Sequence, residues 1–263
     1  MPPDKTPEQE WYQLLTEGEP VGRLARRLQG LLPSSPRCKL CAGPFKGWGG
    51  TLMHILGRDQ SRFNPRYCAK CEQFEHPGGT EVVITMLFAD VRGSTTLAEK
   101  LSPTEFSRLI NRFYVVVTDI LVRTDALVDR LIGDEVVGLF VPGFAGPEHP
   151  RRAIEAGKKI LVATGHRSPN GPWLPVGVGI HTGRAFVGVV GGEEGTPQDF
   201  TALGDNVNIA ARLATNAQPG EILISDAAYG AAGLDLGNLE YRHLELKGKG
   251  VTTGVRVLSV SAT

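Results

Sequence analysis

Apolar positions along the chain change character near residue 80. Beyond it, Val82 to Ala89 is a continuous apolar run of strand length, which predicts a strand buried on both faces. Ser102-Pro-Thr-Glu105 is a capping box with proline at the first helical position. Behind it Phe106, Leu109, Ile110, Phe113, Val117, Ile120 and Leu121 recur at helical spacing, so a long amphipathic helix follows. Short strands are predicted at Ala126–Ile132 and Val136–Val141, with Gly133-Asp134 as the hairpin tip. The pattern continues with a helix over Pro150–Ala163 and a strand pair, Leu174–Ile180 and Ala185–Val190. A helix over Asn206–Ala214 and strands at Glu221–Ser225, Leu239–Leu246 and Val255–Val260 complete it. The order β-α-β-β-α-β with additions predicts an α/β (α+β) fold of the ferredoxin-like, palm type.

Before residue 78 the periodicity is weak. Pro33, Pro36, Pro44, Pro65 and Pro77, with Gly47, Gly49 and Gly50, interrupt the segment, which promises little regular core. Two helices stand out. Pro7–Thr16 gathers Trp11, Leu14 and Leu15, and Val21–Leu32 gathers Leu24, Leu28, Leu31 and Leu32 opposite Arg23, Arg26 and Arg27. The arginine face reads first as a solvated surface and second as a contact with a partner or with the larger domain. His76-Pro77-Gly78-Gly79 is a plausible hinge, so the chain divides into 1–77, a small Cys-rich, partly helical module, and 78–263.

Lys plus Arg equals Asp plus Glu, 28 against 28, which gives no overall electrostatic pull toward nucleic acid or acidic membranes. No apolar run approaches bilayer length and the N-terminus has no secretory pattern, so the expected setting is cytoplasmic, with no membrane span.

Two acids carry the chemistry. Asp90 ends the buried strand and is followed by Val91, Arg92, Gly93, Ser94 and Thr95, which open a helix with free backbone N–H groups suited to a polyphosphate. Asp134 stands at the hairpin tip, and in a palm fold that hairpin lies beside the first strand. Two aspartates there suit a divalent metal pair. Singly, one reads as a helix cap and the other as a turn residue.

Taken with three further motifs, these residues resemble the catalytic domain of the class III nucleotidyl cyclases, the adenylate and guanylate cyclases. The resemblance rests on Leu87-Phe-Ala-Asp-Val-Arg-Gly-Ser-Thr95, Ile132-Gly-Asp-Glu-Val136 and Val176-Gly-Val-Gly-Ile-His-Thr-Gly183. It continues through Ala202-Leu-Gly-Asp-Asn-Val-Asn-Ile-Ala-Ala-Arg212 and Leu246-Lys-Gly-Lys-Gly250. It implies Asp90 and Asp134 as ligands of two Mg2+ or Mn2+ ions, with the Val91 carbonyl added. It also implies Asn208 and Arg212 as the transition-state pair and Lys247, with Lys249 a close competitor, on the terminal phosphates. The substrate is a nucleoside triphosphate. The family builds its sites between two protomers, so a homodimer with two sites is expected and a monomer should be inactive.

The base-reading positions of the family fall on Arg130 and Thr201. Adenine needs a donor toward N1 and an acceptor for its amino group, which this pair can supply; guanine's N1–H needs an acceptor, which arginine is not. ATP is therefore favoured. Arginine in place of the usual lysine keeps a pyrimidine nucleotide open, and GTP last. A pseudo-cyclase that binds without turnover and a diguanylate cyclase are the rival functions; the retained Asn208, Arg212 and Lys247 argue against both. His181, in the glycine-rich stretch, reads as structural.

The module contains Cys38-Lys-Leu-Cys41 and Cys68-Ala-Lys-Cys71. Two Cys-x-x-Cys knuckles suit a four-thiolate structural Zn2+, which would staple a segment poor in core. An iron–sulfur cluster accepts the same ligands, and a redox dithiol or reversible disulfide is the third reading.

Overall fold

The computed structural model describes residues 6–61, 64–72, 78–191, 199–245 and 252–261. The N-terminal module holds α1 (Pro7–Thr16), α2 (Pro20–Leu31), α3 (Gly47–Ile55) and α4 (Ala69–Glu72). The larger part begins with β1 (Gly78–Val91), α5 (Ser94–Lys100), α6 (Pro103–Arg123), β2 (Leu127–Ile132), β3 (Glu135–Phe140), α7 (Pro142–Ala145) and α8 (His149–Ala163). It closes with β4 (Val176–Val190), β5 (Asp199–Leu203), α9 (Asp205–Asn216), β6 (Glu221–Ser225), α10 (Asp226–Ala232), β7 (Glu240–Glu245) and β8 (Thr252–Ser259).

The strands form one sheet in the order β2-β3-β1-β4-β6-β8-β7, with β5 paired to β4. The subset β2-β3-β1-β4, linked by α6 and α8, is the expected βαββαβ palm. Alternate residues of β1 explain its continuous apolar run. Leu87, Ala89 and Val91 enter a core with Phe113 and Val117 of α6 and Ile154 and Ile160 of α8. Val82, Ile84, Met86 and Phe88 enter a second core on the opposite face, with Ala210 of α9, Phe200 of β5, and Leu15, Cys38, Tyr67, Cys68 and Cys71 of the module. The predicted capping box is present: Glu105 N donates to Ser102 Oγ and Ser102 N to the Glu105 carboxylate.

Three expectations are corrected. The strand pair Leu174–Ile180 and Ala185–Val190 is one strand, β4, paired along its length with β1 from Val91↔Val176 to Gly78↔Val189. Gly183 marks no turn; a Cβ there would lie 2.5 Å from the Asn206 side chain, so the glycine is a seat for α9. Gly78 and Gly79 belong to β1, inside the ladder. The third correction inverts α2. Its leucines face outward, Leu28 being 57% exposed, while Arg26 is 4% exposed. Arg26 donates through Nε to the Leu40 carbonyl and through Nη2 to that of Ala126, and Arg27 pairs with Asp125 at 2.9 Å. Arg26 and Arg27 anchor α2 on the palm through the Ala126 carbonyl and Asp125, which is the contact with the larger domain rather than the solvated face, while Arg23 donates within the module to the Glu17 carbonyl.

The module also meets the palm backbone to backbone. Gly18 adopts φ +59°, and a Cβ on it would lie 1.9 Å from the Gly143 carbonyl oxygen; one on Gly143 would lie 2.0 Å from that of Leu14. No helix among the described residues is long and apolar enough to cross a membrane.

Candidate active site and cysteine centre

Asp90 occupies the end of β1 and pairs in register with Glu135 of β3, while Asp134 forms the β2–β3 tip. Val91 N donates to the Asp134 carbonyl at 3.1 Å, which fixes the two acid-bearing segments side by side. Tyr114 Oη donates to the Gly133 carbonyl at 2.6 Å and steadies the tip. Gly93 precedes α5 at φ +68° with open space where a Cβ would stand, so the left-handed turn, not crowding, calls for glycine. Ser94, Thr95 and Asp134 line one cleft of 540 Å³.

One arginine stands among three acids, and a divalent ion on Asp90 would displace its guanidinium. The Arg92 guanidinium lies against the Asp90 carboxylate. Burial raises the Glu135 pKa, and Asp134 adds to that rise. Hard carboxylate oxygens at adjacent strand ends, with a neighbouring acid resisting ionisation, form a donor set that fits Mg2+ or Mn2+.

Asn208 and Arg212 lie one turn apart on α9. That helix sits where β4 has no side chains: a Cβ on Gly179 would lie 2.2 Å from Ala214 N, and one on Gly177 would lie 2.8 Å from the Ala217 carbonyl. The glycines of the third motif are thus the floor that sets α9. Asn208 is exposed and lines a second cleft of 540 Å³ with Arg130, Asp129, Glu135 and Asp205. Among the described residues Arg212 Nη1 is buried without a hydrogen-bond partner. The structure therefore brings Arg130 and Asn208 together in one cleft, and Ser94, Thr95 and Asp134 in another. Lys247, Lys249 and the Leu246–Gly250 segment lie outside the described residues.

Thr201 is fully buried on β5, with Arg130 over it: Arg130 Nη2 donates to Thr201 Oγ1 at 3.2 Å, and Thr201 Oγ1 donates to Asp129 Oδ2 at 3.0 Å. Neither β5 nor Asp129 was visible to pattern reading. An aspartate inside the apolar strand Leu-Val-Asp-Arg-Leu-Ile is the signal that points to it. His181 uses both ring nitrogens, Nδ1 with Ser225 and Nε2 with Asn206, each at 2.8 Å, which is a structural placement.

In the module the four cysteines are free and converge, with all four sulfurs within 4.8 Å of one another. Cys41 and Cys68 Sγ are 3.8 Å apart, and tetrahedral zinc with bonds of about 2.3 Å sets its sulfurs about 3.8 Å apart. Cys68 N donates to Cys38 Sγ at 3.3 Å, a backbone donor suited to a thiolate. Sulfur–sulfur hydrogen bonding, led by Cys38, holds the Cys68 thiol down and lowers that of Cys41 to about 7, while Cys38 and Cys71 are pushed up. Two arginines supply opposite charge. Burial works against Arg58, but Cys41, Cys71 and Cys68 outweigh it and raise its pKa. Burial lowers the Arg26 pKa, opposed by Asp125 and three cysteines, and Arg26 Nη1 is buried without a hydrogen-bond partner among the described residues. Four thiolates around a divalent ion carry two net negative charges, which this pair of guanidinium groups would balance.

Residues 79–257 match the family described as the adenylate and guanylate cyclase catalytic domain. An uncharacterized protein of Mycobacterium tuberculosis is 30% identical over 179 residues, which is 65% of this chain and 31% of that protein. The chain thus spans about a third of the length of that curated relative. Among solved structures, the guanylyl cyclase Cya2 is 27% identical with a TM-score of 0.62, covering 70% of this chain and 95% of its own. The adenylyl cyclase CyaB from P. aeruginosa is 26% identical with a TM-score of 0.59, covering 68% of this chain and 95% of its own. The matched span includes both aspartates, the α9 pair and the strands that carry Arg130 and Thr201, and it leaves out the cysteine module: the chain belongs to the adenylate and guanylate cyclase catalytic domain family.

Proposed function

We propose that this chain is an adenylate cyclase that acts as a head-to-tail homodimer, converting ATP to 3′,5′-cyclic AMP and pyrophosphate. The observation that carries the reading is the division of the motif residues between two clefts of one chain. Asp134, Ser94 and Thr95 line one, and Arg130 and Asn208 the other. A second protomer turned about would set the acids of one chain against Asn208 and Arg212 of its partner.

In the reaction the ribose 3′-oxygen forms a bond to the α-phosphorus, the bond from that phosphorus to the β-phosphate oxygen breaks, and the hydroxyl proton is lost. Asp90, Asp134 and the Val91 carbonyl would hold two Mg2+ or Mn2+ ions, which supply Lewis acidity at the hydroxyl and the leaving pyrophosphate. Asn208 orients the ribose. The Arg212 guanidinium donates to charge developing on the α-phosphate oxygens. Gly93, Ser94 and Thr95 offer backbone and hydroxyl donors to the phosphates, and Lys247 reaches the terminal ones.

Arg130 meets the base first, since Thr201 lies buried beneath it. Arginine only donates, and Thr201 beneath it is taken up by Arg130 and Asp129, so this corner of the cleft favours a base edge that presents a ring-nitrogen acceptor. Adenine has that edge. At the cysteine centre we propose structural Zn2+, on the sulfur spacing and the two balancing arginines.

Purified protein with Mn2+ and ATP, GTP, UTP or CTP in turn, read by mass spectrometry, tests the assignment. Cyclic AMP is expected. A cyclic pyrimidine or cyclic GMP would correct the base, and absence of any cyclic product from folded dimer would remove the enzyme reading. Asp90→Ala and Asn208→Ala should each abolish turnover, and mixing them should restore part of it. Failure to complement would overturn the shared site. Zinc is checked by elemental analysis of the purified protein; a visible absorbance with bound iron would replace it with a cluster.

A further inference from the structure

Lys39 is the first residue between Cys38 and Cys41, and it lies in the palm rather than in solvent. Its side chain is 4% exposed, and its Nζ contacts Asp129 Oδ1 at 2.8 Å and Asp199 Oδ1 at 2.9 Å. Those aspartates belong to β2 and β5, two strands that do not pair with each other. Asp129 directly precedes Arg130, and Asp199 lies two residues before Thr201. One ammonium group of the cysteine knuckle therefore bridges the two strands that carry the base-reading pair.

The second knuckle grips the same place. Arg66 Nη1 pairs with Asp199 Oδ2 at 2.6 Å, Tyr67 Oη donates to Asp199 Oδ1 at 3.1 Å, and Phe200 N donates to Tyr67 Oη at 3.0 Å. The knuckles are joined beneath by Lys39 N donating to the Arg66 carbonyl at 2.9 Å. Local strand geometry is bent to the same end. The β2–β3 register shifts between Val128 and Arg130. Successive residues of a regular strand point to opposite faces, and a bulge re-aims one of them. Here it lets Asp129 and Arg130 both reach Thr201, with Arg130 Nε 3.5 Å from Asp129 Oδ2.

The hydrogen bonds have one direction. A carboxylate beside an ammonium accepts only, so Thr201 must give its proton to Asp129. Its oxygen is then left to accept, and it accepts from Arg130. Burying Lys39 and Asp129 costs desolvation of two charges, which apolar residues at the same places would not incur. The arrangement spends that cost where it sets the direction of the Thr201 hydroxyl and the place of the Arg130 fork.

We propose that Lys39 and Asp129 are positioning residues for base selection, through which the folded cysteine knuckle orients Arg130 and Thr201. The proposal rests on the reading of Arg130 as the group that meets the base, held from beneath by the buried Thr201. Lys39 is not among the residues lining the cleft and acts through Asp129, which lines the cleft wall beside Arg130 at only 6% exposure. Replacing Asp129 with asparagine puts an N–H donor in reach of Thr201, which must then turn its hydroxyl round and present a donor to Arg130, a group that cannot accept.

The test is the ratio of affinities for 3′-deoxy-ATP and 3′-deoxy-GTP, which cannot cyclise, in the full chain and in Lys39→Met, Lys39→Arg and Asp129→Asn. KM and kcat for ATP are measured beside it. Lys39→Met and Asp129→Asn are expected to bring the ratio about tenfold closer to one and to raise KM for ATP, with kcat at saturation changed far less. Lys39→Arg should restore most of the discrimination. A role confined to holding the fold would lower the melting temperature and kcat while leaving the ratio in place, and that result overturns the proposal. Should Lys39→Met fail to fold, the nearly isosteric Asp129→Asn decides by the same ratio. An unchanged ratio in variants of a discriminating parent removes this proposal and leaves the cyclase reading standing. A parent that binds neither analogue removes both.

Discussion

The palm and the cysteine module are held together in different ways. In the palm, β1 sends alternate residues into two apolar cores, and α6 and α8 close one of them with helical stripes. In the module, four cysteine sulfurs converge and buried cations leave it to bind the palm: Arg26 on the Ala126 carbonyl, Lys39 on two carboxylates. Apolar periodicity therefore describes the palm and misleads about the module. A segment with little core of its own gathers its cysteines inside and meets the palm through directional polar bonds and the apolar contacts of Leu15 and Tyr67.

Removing a ligand should separate the two most sharply. Cys68→Ser, or chelation of the zinc proposed at the cysteine centre, should forfeit metal-binding free energy on the order of 10 kcal/mol. Limited proteolysis should then cut within residues 6–72 well before the palm; equal protection of the module would mean that the sulfurs are not its staple. In the palm, Phe113→Ala empties a fully buried site and should cost about 3–5 kcal/mol by urea unfolding. Arg26→Met should cost about 2 kcal/mol, since it leaves the Leu40 and Ala126 carbonyls without their donor.

The palm carries a pH-dependent element built on a buried histidine. His149 is buried with Nδ1 2.9 Å from Thr85 Oγ1, and burial lowers its pKa to about 4. Between that value and the ordinary histidine value of about 6.5, the unfolded chain binds a proton that the folded one does not. Stability is therefore lost as pH falls through that window, by about 1.4 kcal/mol per pH unit. Comparing melting of the parent and His149→Gln from pH 6.5 to 5 should show a shallower decline in the variant. The smallest effect belongs to the outward face of α2: Leu28→Ser should change stability by about 0.5 kcal/mol or less, where an inward leucine would cost several times that.

Most of the palm was legible because its signals are local and redundant. The box at Ser102 and Glu105 starts α6, and its stripe supplies Ile110, Phe113, Val117 and Leu121 to the core. The hairpin around Gly133-Asp134 is where the alternation of β2 and β3 puts it. Glycine misled twice for one physical reason. The gap between Leu174–Ile180 and Ala185–Val190 contains Gly183, and Gly49 and Gly50 of α3 read as interruptions, yet each glycine is there because another chain segment comes close: Asn206 in the first case, Pro33 and Phe45 in the others. Long-range approach has no local signature. The same holds for α2, whose orientation is decided by the Ala126 carbonyl and Asp125, about a hundred residues away. Of the candidate site, the residue types were legible one by one; the contact of Lys39 with Asp129 was not, because nothing in Cys38-Lys-Leu-Cys41 says which way its lysine turns.

The meeting of Gly18 with Gly143 has a consequence for the mutational landscape of the chain. Each glycine is required by a backbone atom across the contact, not by a side chain that could shrink. In a saturation library both positions should therefore return glycine alone, and no change at one could suppress a defect at the other. Selection can tune the cations and sulfurs of the module one residue at a time, but at this point of contact it has no second move.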